Sequence, residues 1–131
     1  MRDHEVIQTD RGPAAIGPYS QAIKLPLGDR TLVFVAGQIA LDPQTGELTG
    51  GSVAEQAHRA MKNAAAILEA AGSGLDRVVK TTIFLASMDD FAEVNEAYGS
   101  YFRAAPPARS TVAVGGLPKG VDVEIEVIAY A

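Results

Sequence analysis

The chain predicts an α+β fold, a single mixed sheet with two helices packed on one face, in the order β-β-β-α-β-α-β-β. Three observations lead there. Six segments are rich in β-branched or aromatic residues, or alternate polar with apolar. Two longer segments repeat apolar residues every three or four positions, the period of a helix. Each of these two lies between strands, so both helices are crossovers. The sheet face opposite the helices then needs a cover, and with no third helix available another subunit is the natural one.

The elements follow in order. Glu5–Gln8 is a short strand. Arg11–Tyr19 holds Gly12-Pro13 and Gly17-Pro18, which make it extended or turning. Gln21–Leu25 reads as a strand ending at Pro26, and Gly28-Asp29 fits a hairpin turn. Thr31–Leu41 is a buried strand that Asp42-Pro43 ends. Leu41–Ser52 is a loop. Ser52–Ala71 is the clearest helix, with Val53, Ala57, Met61, Ala64 and Leu68 on one face. Ser52 and Glu55 have capping-box spacing, and Gly72 suits the position after the helix. Arg77–Ala86 is a second long strand. Asp89 or Asp90 caps a second helix to about Phe102, with Phe91, Val94, Tyr98 and Phe102 on one stripe. Arg109–Val114 and Asp122–Tyr130 are strands joined through the Gly115–Gly120 loop, as a C-terminal hairpin.

Length and composition bound the function. At 131 residues, one domain spanning 1–131 is expected. With 47% hydrophobic and 21% charged residues the chain is ordinary for a globular protein, not a disordered one. A net charge of −5 argues against nucleic-acid binding, which needs a basic surface. No cysteine is present, which removes disulfides, thiolate catalysis and cysteine metal sites. The start, Met-Arg-Asp-His-Glu, is charged and has no apolar run behind it. No signal peptide and no membrane span are expected, which points to a cytoplasmic protein. Phosphate-loop, dinucleotide, nucleophile-elbow and His-Glu-x-x-His patterns are all absent. His4 and His58 read as terminal and solvated residues, and a multi-histidine metal site is not expected.

The C-terminal region carries the chemistry. Alternation puts Arg109 and Thr111 on one face of their strand, with Ser110 and Val112 on the other. It likewise separates Val121, Val123, Ile125 and Val127 from Asp122, Glu124 and Glu126. An arginine within a strand suits a carboxylate, which its planar fork grips with two parallel bonds. A glutamate on an adjacent strand can hold or deprotonate a water. The competing reading is a cross-strand ion pair between Arg109 and Glu124 or Glu126.

Four segments together resemble the RidA/YjgF family of small trimeric enamine/imine deaminases. They are Ala15-Ile16-Gly17-Pro18-Tyr19-Ser20-Gln21-Ala22, Val35-Ala36-Gly37-Gln38-Ile39, Val79-Lys80-Thr81-Thr82-Ile83-Phe84-Leu85, and the block from Pro107-Ala108-Arg109-Ser110 to Val123-Glu124-Ile125. They span the chain from about Ala14 to Ala129 in matching order. The resemblance implies a chorismate-mutase-like fold and a homotrimer with active sites between subunits. It implies that Arg109 grips the substrate carboxylate and that Glu124 holds the attacking water. Tyr19 then lines the pocket from a mobile loop, the backbone of Gly37 approaches the ligand, and Thr111 supplies a hydroxyl where some members have cysteine. Ala36 stands where some relatives have serine. Asn95 matches a recurrent asparagine and reads as structural. Tyr19 as a loop anchor, Gly37 as a packing glycine and Thr111 as a strand former remain the alternatives, and Glu126 reads as a partner for a neighbouring charge.

The implied activity is hydrolysis of 2-aminoacrylate, 2-iminopropanoate and 2-iminobutanoate to 2-keto acids and ammonia. No metal, nucleotide or pyridoxal cofactor is needed, because the substrate is already activated. The implied partners are 2-imino and 2-keto acids and other copies of the chain, with no nucleic acid and no membrane. A small-carboxylate binding protein without turnover is the second class. The endoribonuclease activity reported for some relatives is a third, against which the acidic charge speaks.

Overall fold

The computed structural model describes residues 3–131; Met1 and Arg2 of the charged start lie outside them. β1 (Glu5–Ile7), β2 (Ala22–Leu27), β3 (Arg30–Gln38), β4 (Val78–Leu85), β5 (Ala108–Ala113) and β6 (Val123–Tyr130) form one sheet in the order β1-β2-β3-β6-β4-β5. The helix α1 (Val53–Ala70) joins β3 to β4, and α2 (Phe91–Gly99) joins β4 to β5. The β4–β5 pair is parallel and the other pairs are antiparallel, so the sheet is mixed. Both helices pack on one face, as expected.

The last two strands do not make a hairpin. β4 lies between them. The β4-α2-β5 crossover sets β5 parallel to β4 at the sheet edge. The α1 crossover leaves a gap between β3 and β4, and the chain returns from β5 to fill it with β6. β6 therefore becomes the central strand, and its inward residues Val123, Ile125, Val127 and Ala129 are fully buried beneath the helices.

Helix α1 is specified at both ends. The Ser52 hydroxyl accepts from the Glu55 N–H, and the Glu55 carboxylate accepts from the Ser52 N–H, each at 3.2 Å. At the other end Gly72 adopts φ 80°. Its N–H donates to Glu69 and that of Ser73 to Leu68, which satisfies the last carbonyls in a Schellman closure. The predicted apolar face is buried without exception, and its alanines let the helix sit close to the sheet.

Four expectations about element ends change. Pro26 lies inside β2, because β1 pairs only with Ala22–Lys24. Register places the Pro26 nitrogen on that vacated edge, where no donor is needed. Pairing of β3 stops at Gln38 rather than Leu41, after a bulge between Val35 and Gln38. At α2, Asp89 and Asp90 are drawn into a 3-10 turn, and the Ser87 hydroxyl accepts from the Asp89 N–H instead. After Gly99 the chain tightens into i→i−3 turns as far as Phe102.

The sheet face away from the helices is mixed rather than purely apolar. Ile23, Phe34, Ile128, Phe84 and Val112 share it with Lys80, Thr82, Glu124 and Glu126. Phe34 and Val112 are exposed there. His4 is exposed, but His58 is not simply solvated: its Nδ1 lies 2.9 Å from the Tyr101 hydroxyl, tying α1 to the turns after α2.

Candidate functional site

The five predicted site residues fall into two groups on opposite faces of the sheet. Tyr19, Gly37 and Glu124 line one cleft of about 350 Å³, together with Pro13, Leu41 and Pro118. Arg109 and Thr111 stand on the helix side of the edge strand β5, because their register partners Thr81 and Ile83 are buried beneath the helices. β4 separates β5 from β6, so the proposed Arg109 ion pair with Glu124 or Glu126 does not form. The expected arginine–glutamate neighbours on adjacent strands are likewise absent within one chain.

In the cleft the β3 bulge brings Gly37 against Glu124. A Cβ on Gly37 would lie 2.8 Å from the Glu124 carboxyl carbon and 3.0 Å from Oε2. A side chain at this position would displace the carboxylate from where it lies along the backbone. Burial raises the Glu124 pKa above its ordinary value of 4.5, and the Glu126 charge on the same face raises it further. A carboxylate displaced in this direction is a stronger base than a fully solvated one.

Buried amides tie down the cleft walls. Gln21 accepts from the Thr9 N–H at 2.7 Å and donates to the carbonyls of Thr9, Gly12 and Pro13. Gly12 packs so closely on α1 that a Cβ would meet Ile67 at 2.6 Å. The segment expected as a mobile loop is therefore fixed at its base. Tyr19 stands beyond that base, 47% exposed, its hydroxyl accepting from the Ile16 N–H at 3.2 Å. It is both loop anchor and cleft wall. Asn63, fully buried, donates to the carbonyls of Ile39 and Leu41 and so holds the opposite wall. These glutamine and asparagine contacts were not read from the sequence, where only a polar residue interrupting an apolar helix stripe pointed to them.

The second group is built on the arginine. Arg109 Nη1 donates to Asn95 Oδ1 at 2.7 Å, and the guanidinium lies over the rings of Tyr98 and Phe91. Asn95, which reads as structural in the sequence, bonds a candidate site residue. Two residues on from Arg109, the Thr111 hydroxyl is buried and has no hydrogen-bond partner among the described residues. A buried hydroxyl without a partner costs free energy, about 1–3 kcal/mol. The guanidinium, held in this way, can receive an anion with a planar head.

No helix among the described residues is long and apolar enough to cross a membrane. The family model Endoribonuclease L-PSP matches residues 9–131. The chain is 52% identical to Protein DfrA of Myxococcus xanthus, over 97% of this chain and 95% of that protein. It is 51% identical to the human 2-iminobutanoate/2-iminopropanoate deaminase, over 95% of this chain and 88% of that protein. The crystal structure of E. coli TdcF with bound serine superposes with a TM-score of 0.87 at 43% identity, covering 97% of this chain and 98% of that one. These matches run nearly end to end, and the chain belongs to the Endoribonuclease L-PSP family, the RidA/YjgF family that its motifs resemble.

Proposed function

We propose that the protein hydrolyses 2-imino acids, among them 2-iminopropanoate and 2-iminobutanoate, to 2-keto acids and ammonia. The observation that carries this reading is the guanidinium of Arg109, oriented by Asn95 and two rings. Such a group takes a carboxylate in a defined plane. The name of the human relative and the serine bound by TdcF, itself an amino acid carboxylate, support the same substrate class.

The chemistry then needs one water and one base. The enamine tautomerises to the imine, and Arg109 fixes its carboxylate. Glu124 draws a proton from water as the oxygen bonds to the imine carbon, while the imine nitrogen takes up a proton. Glu124 then returns its proton to the amine nitrogen of the tetrahedral intermediate, the C–N bond breaks to release ammonia, and the hydroxyl becomes C=O as it gives solvent a proton in place of the one the imine nitrogen took up. Nothing is oxidised or reduced, and the reaction consumes one water.

Because Arg109 and Glu124 face opposite sides of the sheet, a site using both is shared between chains. A homotrimer accounts for this, with the β5 edge of one copy beside the Glu124 cleft of the next. It also covers Phe34, Ile128 and Val112 on the open sheet face. Sedimentation at micromolar concentration should give a stable trimer; a stable monomer that turns over substrate would remove the shared site.

The function is tested by adding the purified protein to a serine or threonine dehydratase reaction and following keto-acid and ammonia release. Faster imine loss is expected. Binding of the 2-keto acid with no acceleration would leave a small-carboxylate binding protein instead.

Gly37→Ala is a sharper probe of the cleft. The added methyl collides with the end of a flexible side chain, so the fold should persist while the Glu124 carboxylate is displaced. A fall in kcat/KM of ~10²-fold with unchanged thermal stability is expected, from misplacement at the reacting centre. Unchanged activity would show that the approach to Gly37 is incidental.

A further inference from the structure

We infer that one face of α2 is a positioning device for Arg109, with Asn95 and Tyr98 setting the plane of its guanidinium and Phe91 closing the third side. This rests on the reading of Arg109 as the carboxylate anchor and extends it to the residues that make the anchor specific. The three residues stand at i, i+4 and i+7, so they share one helical face. The sequence pattern puts Phe91 and Tyr98 on an apolar stripe with Val94 and Phe102, and Val94 and Tyr98 are indeed buried. Phe91 is only half-buried and Asn95 is exposed. Their common feature is the guanidinium, which lies 5.2 Å from the Tyr98 ring centroid and 5.7 Å from that of Phe91.

Tyr98 is itself fixed. Its hydroxyl lies 2.7 Å from that of Thr81 in a buried contact, and Thr81 is the β4 register partner of Arg109. The ring is thus locked to the strand that carries the arginine's neighbour, and it cannot swing away from beneath the cation. Burial raises the Tyr98 pKa, so the ring stays neutral and its face remains available to the cation. Asn95 then fixes rotation about the remaining axis by accepting from Nη1. Among the described residues this is the one side-chain hydrogen bond that Arg109 makes. The other guanidinium nitrogens are left to meet both oxygens of a carboxylate. An arginine without these contacts would spread over many rotamers and would have to be ordered by the substrate itself.

The test uses Asn95→Ala, Tyr98→Phe and Tyr98→Leu in the full-length protein, and Asn95→Ala again in an Arg109→Ala background. Asn95 is exposed on a helix where alanine is the better former, so its loss should leave thermal stability unchanged or raised. Its kcat/KM for the imino acid should nevertheless fall by ~10–100-fold, with KM rising as much as kcat falls. In the Arg109→Ala background the same substitution should change kcat/KM by less than about 3-fold, because the two residues act as one unit. Tyr98→Phe, which keeps the ring, should retain at least ~10-fold more activity than Tyr98→Leu at equal folded fraction. Losses that add across the two backgrounds, or Phe and Leu variants of equal activity, would overturn the positioning role. If Arg109→Ala alone leaves activity intact, the proposed function itself fails, and that outcome is distinct from a failure of the cradle.

Discussion

Glu124→Gln is expected to lower imino-acid turnover by ~10²–10⁴-fold, the usual cost of losing a general base. The amide keeps the size of the side chain and its fit against Gly37 but cannot take a proton from water. Affinity for a 2-keto acid should change far less, because the carboxylate is gripped elsewhere. Stability supplies the control, and its sign follows from burial. The fold raises the Glu124 pKa, so the fold favours the protonated carboxyl over the ionised one. The stabilisation this gives is complete below the unfolded pKa and is lost as pH rises through the folded one. At neutral pH the ionised group is therefore a burden, and the glutamine variant should melt no lower than the parent. The wild-type rate should fall on acidification with a midpoint above the ordinary glutamate value of 4.5, for the same reason. A variant with near-normal turnover, or an acid limb at or below that value, would take Glu124 out of the reaction.

Arg109→Lys should reduce kcat/KM by at least ~10²-fold although it conserves charge. A planar carboxylate is met by two parallel N–H groups of arginine, and that match aims the imine carbon at the water. An ammonium on a flexible stem offers one point of attachment and leaves the plane free to turn. It also loses the flat group that lies over Tyr98 and Phe91 and bonds Asn95. A surface ion-pair role would predict almost no loss, since such pairs contribute only ~0.2–1 kcal/mol and lysine serves them equally. Activity and keto-acid affinity measured side by side in the Lys and Ala variants decide the matter. Near-normal values for the lysine variant would remove Arg109 from the site.

Local rules made much of the fold legible. Ser52, Glu55 and Gly72 are helix signals that act over one turn, and each does its expected job. Gly28 adopts φ 65° at the first central position of a two-residue turn, as a primed hairpin turn requires. The face assignments in β5 and β6 also hold, because alternation is a property of the single strand. Where the reading went astray, a neighbour decided. Pro26 signals a strand end, but the shortness of β1 leaves its nitrogen nothing to bond. Asn95 receives a guanidinium that a strand far along the chain delivers to it.

By itself, then, the sequence determined the order of elements, the signals at both ends of α1, which side chains share a strand face, and the family. It named Arg109, Glu124, Tyr19, Gly37 and Thr111 because residue type and motif are local. Only the tertiary structure decided that β4 separates β5 from β6, that Arg109 and Glu124 look to opposite sides, and that Asn63 and Gln21 brace the cleft. The physical reason is that strand order is set by the crossovers. Adjacency in sequence makes a hairpin only when no other strand has a stronger claim to the space between. Here β6 buries four apolar side chains at the sheet centre between two antiparallel partners, a place the edge beside β5 does not offer.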